Sequence, residues 1–139
     1  VQIVGNGAVF PSAVVTSGEV TVSSSVSEAY VGLGYTTTIK PSRPEFGSPQ
    51  GITQGKQKRW NHIFVRFLNT LGAKINGDQM PFRTSSDAMG SAPSLFSGDK
   101  KVMNLGYDKD GFIEIKQEQA LDMHVVAIGG DINSGEQFS

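Results

Sequence analysis

Lys56, Lys58 and Arg59 stand directly before Trp60 and His62 in the stretch QGKQKRWNHIFVRF. Cations packed this closely can neutralise backbone phosphates, and an indole beside them can stack on a base. Lys56, Lys58, Arg59 and Trp60 are therefore the candidate nucleic-acid contacts. Such contact would be non-specific and steeply salt-dependent. The competing reading carries more weight: a few basic residues at the start of a strand commonly do no more than solvate it.

Other chemistry has fewer residues to draw on. His62 and His124 are the two histidines, and only Asp122 stands near either at a useful spacing, so no metal site is expected. YDKDGFIE resembles half of a calcium loop. With Gly111 at the sixth position, however, the first and twelfth become Gly106 and Gln117, which are not carboxylates. Asp110-Gly111 reads instead as the turn of a hairpin, with glycine supplying the positive φ. No G-x-S-x-G is present, GNGAVF lacks the full dinucleotide-binding spacing, and Glu114, Glu118 and Asp122 form no evident acid–base pair. The chain is not expected to be an enzyme, and no cofactor is implied.

The elements that would position these residues read mainly as strands. VQIV, the turn GNG and AVF form an apparent hairpin, and EVTV alternates as a half-buried strand would. EAYVGLGY and TTTIK are rich in β-branched and aromatic residues and stop at Pro41. Residues 42–55 (SRPEFGSPQGITQG) read as an irregular surface loop and a candidate interaction segment. In the next stretch, Trp60, Ile63, Phe64, Phe67, Leu68 and Leu71 match a helical stripe, whereas Ile63, Val65 and Phe67 match an alternating strand. The content of Ile, Val, Phe and Trp leans towards strand. Residues 79–101 read as a second long loop pinned by Met80, Phe82, Met89, Leu95 and Phe96. In the last third GFIEIKQ belongs to a hairpin, MHVVAIGG is a core strand, and SGEQFS is expected to fray.

The expected architecture is all-β, an antiparallel sandwich-like domain with little helix. Its 139 residues divide into N-terminal strands (1–41), a loop (42–55), a central strand region (56–78), a second loop (79–101) and a C-terminal hairpin and strand (102–139). Hydrophobic residues make up 37%, enough for a core, while 17 glycines and 6 prolines speak against a helical bundle. A net charge of −1 provides no long-range field to steer the domain onto nucleic acid or an anionic membrane. Absence of cysteine excludes disulfides and thiolate chemistry, and no apolar run is long enough to span a bilayer as a helix. The chain opens on Val1 inside a strand-like run and is expected to be part of a longer polypeptide.

Four separated stretches, YVGLGYTTTIKP, QGKQKRWNHIFVRFLNTLGAKI, MPFRTSSDAMGSAPSLFSGDKKV and GYDKDGFIEIKQEQALDMHVVAI, carry a resemblance. In this order and spacing they resemble the C-terminal region of the tail nozzle proteins (tail tubular protein B-like) of short-tailed bacteriophages, from about Gly18 to Ile128. The chain departs from them at Gly34, where proline is frequent, and near Ala92-Pro93-Ser94, where the family is richer in proline. The resemblance implies a largely β-structured component of the virion tail, assembled in the host cytoplasm. It further implies a homo-oligomeric ring, six-fold in the best-known members, in contact with a tail adaptor and other tail proteins. The lumen of such a ring retains packaged DNA and later conducts it, and non-specific contact with that DNA follows. No catalytic residue is carried over. The rival expectation is a host-surface module, binding glycan or protein at the tail tip; a tail-associated hydrolase and a single-strand nucleic-acid binder are weaker alternatives.

Overall fold

The computed structural model describes residues 1–48 and 51–138; Pro49 and Gln50 of the expected first loop, and Ser139, lie outside it. The described residues form twelve strands and no helix. In chain order these are β1 (Gln2–Gly5), β2 (Ala8–Phe10), β3 (Ala29–Gly32), β4 (Thr37–Ile39), β5 (Gly47–Ser48) and β6 (Gly51–Ile52). They continue as β7 (Lys56–Thr70), β8 (Lys74–Ile75), β9 (Asp78–Gln79), β10 (Phe96–Asp108), β11 (Ile115–Gln117) and β12 (Val125–Phe138). All pairings are antiparallel.

The central sheet has the order β10-β7-β12, with the 15-residue β7 hydrogen-bonded on both sides. Ile63, Val65 and Phe67 of β7 point to one face and are buried there with Val102 of β10. Against them lies a second sheet, β4-β11-β8-β9, contributing Ile75 and Ile115, with Ala73, Phe82 and Ile113 filling the same core. The rings of Phe67, Phe82 and Phe96 meet edge to face at 5.4 and 5.6 Å. Each such buried side chain contributes about 1.5–3 kcal/mol relative to exposure. The domain is thus an all-β sandwich, as its composition suggests.

The strand reading holds from Trp60 to Thr70, with Leu71 just past the end of β7, and the structure accounts for the competing helical stripe. Between Trp60 and His62, β7 advances two residues while β12 advances one, from Asp131 to Ile132, so Asn61 is a bulge. Below it Lys56, Lys58 and Trp60 face inward or partly inward; above it the inward set is Ile63, Val65 and Phe67. That change of phase gives a strand an i, i+3 relation across Trp60 and Ile63.

A third sheet, β2-β1-β3, is built on the expected Asn6-Gly7 turn, where φ is 50° and 76°. Asn76-Gly77 makes the same turn between β8 and β9. Other expectations need correction. EVTV is not a strand: Glu19 closes a tight turn onto Thr16 through Ser17 and Gly18, and the run finds no sheet partner. The second loop ends at Leu95, because Phe96 to Lys101 already pair with β7. Asp110-Gly111 turns the chain, with the Asp108 carboxylate accepting from Gly111 N–H at 2.9 Å, but it closes no hairpin. β11 beyond it pairs with β4 and β8 in the other sheet. The final strand flanks the central sheet and continues to Phe138 rather than fraying from Ser134, with Ser139 outside the described residues. No helix among the described residues is long and apolar enough to cross a membrane.

Candidate interaction surfaces

The basic stretch does not fold into an exposed cationic face. Lys58 is only 1% exposed, and its Nζ lies 2.8 Å from the Glu45 carboxylate. Arg43 (3.1 Å) and the Thr53 hydroxyl (3.2 Å) hold the same carboxylate. The hydrogen bond from Lys58 is the main reason that Glu45 titrates below its ordinary range. Lys56 is buried as well, and Trp60 donates its indole N–H to the Gly111 carbonyl at 2.8 Å. Arg59 stacks over Tyr107 with 5.7 Å to the ring centre. Of the four residues expected to touch nucleic acid, Lys56 and Lys58 are therefore turned inward, and Trp60 is bonded to the chain's own backbone. Buried lysines require partners, and the short Glu45 arm supplies one from the first loop.

Among the described residues, no second sheet covers the other face of the central sheet. Across it run His62, Phe64, Arg66 and Leu68 of β7, Asp99, Lys101 and Met103 of β10, and Ala127, Gly129 and Asp131 of β12. Phe64, Leu68 and Met103 are exposed, as is Val126, which bulges from β12. The charges on this face are largely neutralised from within. Arg66 makes a two-pronged contact with Asp99 at 2.7 and 2.9 Å, raising the Arg66 pKa and lowering that of Asp99. His62 Nε2 lies 2.9 Å from Asp131, and Lys101 sits over the Phe64 ring at 5.3 Å. This surface combines apolar side chains with one ion pair, Arg66–Asp99, a His62–Asp131 contact and a lysine lying on an aromatic ring.

A cleft of about 480 Å³ separates the β1–β3 sheet from the sandwich, lined by Val4, Tyr30, Val31, Leu33, Leu71 and Leu121. It adjoins a second cleft between Leu33–Thr37 and Gln117–His124, where Tyr35, Gln119, Asp122 and His124 converge. His124 is anchored there by its Nδ1, 3.1 Å from the Leu68 carbonyl. Asp122 and His124 thus do lie together, though as cleft walls, and no group of three His, Asp or Glu suited to a metal occurs among the described residues. These surfaces escaped a reading of motifs because their signal is exposed apolar side chains among charges that contact groups of the same sheet, visible only once neighbours are known. No protein-family model matches the chain, and no curated protein matches it.

Proposed function

We propose that this chain is a structural part of a bacteriophage tail, a segment of the nozzle ring that retains the packaged genome and conducts it during ejection. The open face of the central sheet carries this reading. A partly apolar surface whose arginine already pairs with Asp99 within the sheet loses less when a neighbouring subunit covers it, because fewer unpaired ions must be desolvated. The same face would grip phosphates poorly, and low affinity suits a wall past which DNA must slide. The resemblance to tail nozzle proteins supplies the biological setting, including the tail adaptor above the ring and incidental contact with DNA in the lumen.

Electron-microscopy class averages of the full tail subunit carrying this chain test the proposal. Closed rings with a channel wide enough for duplex DNA are expected. Leu68→Glu with Met103→Glu should prevent closure while leaving the unfolding midpoint of the chain nearly unchanged. Monomers or open fibres alone, even with the tail adaptor present, would sink the reading. The clefts around Tyr35 and Asp122 favour a second one, a host-surface binding module at the tail tip, because an exposed aromatic ring beside polar side chains suits glycan or protein recognition. Saturable binding of the chain to purified host envelope, lost in Tyr35→Ala, would select it.

A further inference from the structure

The segment from Ala29 to Ile39, AYVGLGYTTTI, contains eleven residues with neither charge nor proline. It holds β3 and β4, each the end strand of its sheet and paired on one side only among the described residues. Leu33 to Thr36, which join them, make no backbone hydrogen bond outside the strand ladders among those residues. Tyr30 is 66% exposed, Leu33 88% and Tyr35 79%. Natural sheets protect such edges with lysine, proline or a bulge, because a row of free N–H and C=O groups invites another strand. None of these devices occurs between Ala29 and Ile39.

The charges that bracket the segment indicate what covers it. Glu28 stands at one end and Lys40 at the other. If two copies of this segment run antiparallel about a two-fold axis at Gly34, Glu28 of each copy falls opposite Lys40 of the other. In the same register Leu33 faces Tyr35, Val31 faces Thr37 and Ala29 faces Ile39. Val31–Thr37 is then a β-branched pair and Leu33–Tyr35 sets an aliphatic chain against an aromatic ring, apolar contacts of the kind that join neighbouring strands. Gly34 at the crossing has no Cβ, and the space one would take is already filled by the Gln2 amide, 2.2 Å away. We infer that the Ala29–Ile39 edge is a self-complementary seam through which two copies of this chain associate by antiparallel strand pairing.

A two-fold contact differs from the head-to-tail contact that closes a simple ring. The seam is therefore a separate interface from the open sheet face, and its test does not depend on the nozzle reading. Sedimentation of the whole chain across the micromolar range should show a monomer–dimer equilibrium. Glu28→Lys alone and Lys40→Glu alone should each weaken it roughly tenfold, since two attractive pairs become two repulsive ones. The double exchange should restore it to within about threefold, because opposite charges again face each other. Leu33→Lys should abolish it. Both bracketing residues are exposed, Glu28 accepting from the Tyr30 hydroxyl at 2.6 Å and Lys40 lying 4.2 Å from the Phe112 ring centre, so their exchange should lower the unfolding midpoint only slightly. A monomer at every concentration overturns the inference. So does a dimer that the double exchange fails to restore, or one indifferent to Leu33→Lys.

Discussion

Asp87 organises the second loop alongside its apolar anchors. Its carboxylate accepts from the backbone N–H of Thr84 (2.6 Å) and Ser94 (3.1 Å) and from both hydroxyls, while Arg83 reaches the Ala88 and Ser91 carbonyls. The two backbone donors are the main cause of its pKa falling from 3.8 to about 2. A lowered folded-state value means that the stabilisation is complete above pH 3.8 and is lost as pH falls through about 2. NMR titration should find the Asp87 carboxyl changing near pH 2, with Thr84 and Ser94 amide shifts following it; an ordinary midpoint would remove Asp87 from this role. Asp87→Asn should loosen the loop at neutral pH, since an amide accepts fewer hydrogen bonds than a carboxylate. Lys58 teaches a related lesson. Its charge made it a candidate phosphate contact, yet charge alone does not specify a direction, and here it points at Glu45.

At the scale of the strand, β12 runs close to β7 because Gly130 allows it. A Cβ added at Gly130 would lie 2.2 Å from the His62 carbonyl oxygen and 3.1 Å from the Ile63 Cα. Both are backbone atoms and cannot swing aside. Gly130→Ala should therefore destabilise the chain by about 1–3 kcal/mol, the usual range for overpacking. Gly129→Ala, with open space around the new methyl group, should cost less. Urea unfolding of the two variants decides the matter, and equal midpoints would refute the close-approach argument. How far these elements could be read in advance follows from the same geometry. The alternation of Ile63, Val65 and Phe67 was legible because core residues recur every second position. The bulge at Asn61 was not, because it depends on how many residues β12 offers opposite it. EVTV alternates equally well yet forms no sheet strand, since alternation describes one strand and pairing requires two. The open face and the uncharged edge were present in the residues, but nothing local distinguishes an exposed phenylalanine from a buried one.

For the molecule as a whole, apolar burial among the described residues is divided between two sites. Ile3 and Val4 are buried within the β1–β3 sheet, apart from the core cluster that unites β7, β8, β10 and β11. Clefts run between the two regions. A small sheet with few buried side chains should open without the sandwich unfolding. Native-state hydrogen exchange should show the β1 amides exchanging well before those of Ile63, Val65 and Phe67, and identical opening free energies would show that the two regions cooperate. A mechanical consequence also follows from the central position of β7. At about 3.3 Å per residue its fifteen residues extend for roughly 50 Å, and neighbours hold it along both sides. Tension along that axis loads the two ladders in shear, so many hydrogen bonds must yield together. Tension along β3 meets a single ladder of four register pairs, and so far fewer bonds share the load. The β7 axis is therefore the stiff one, and the short ladder at β3 should yield before it.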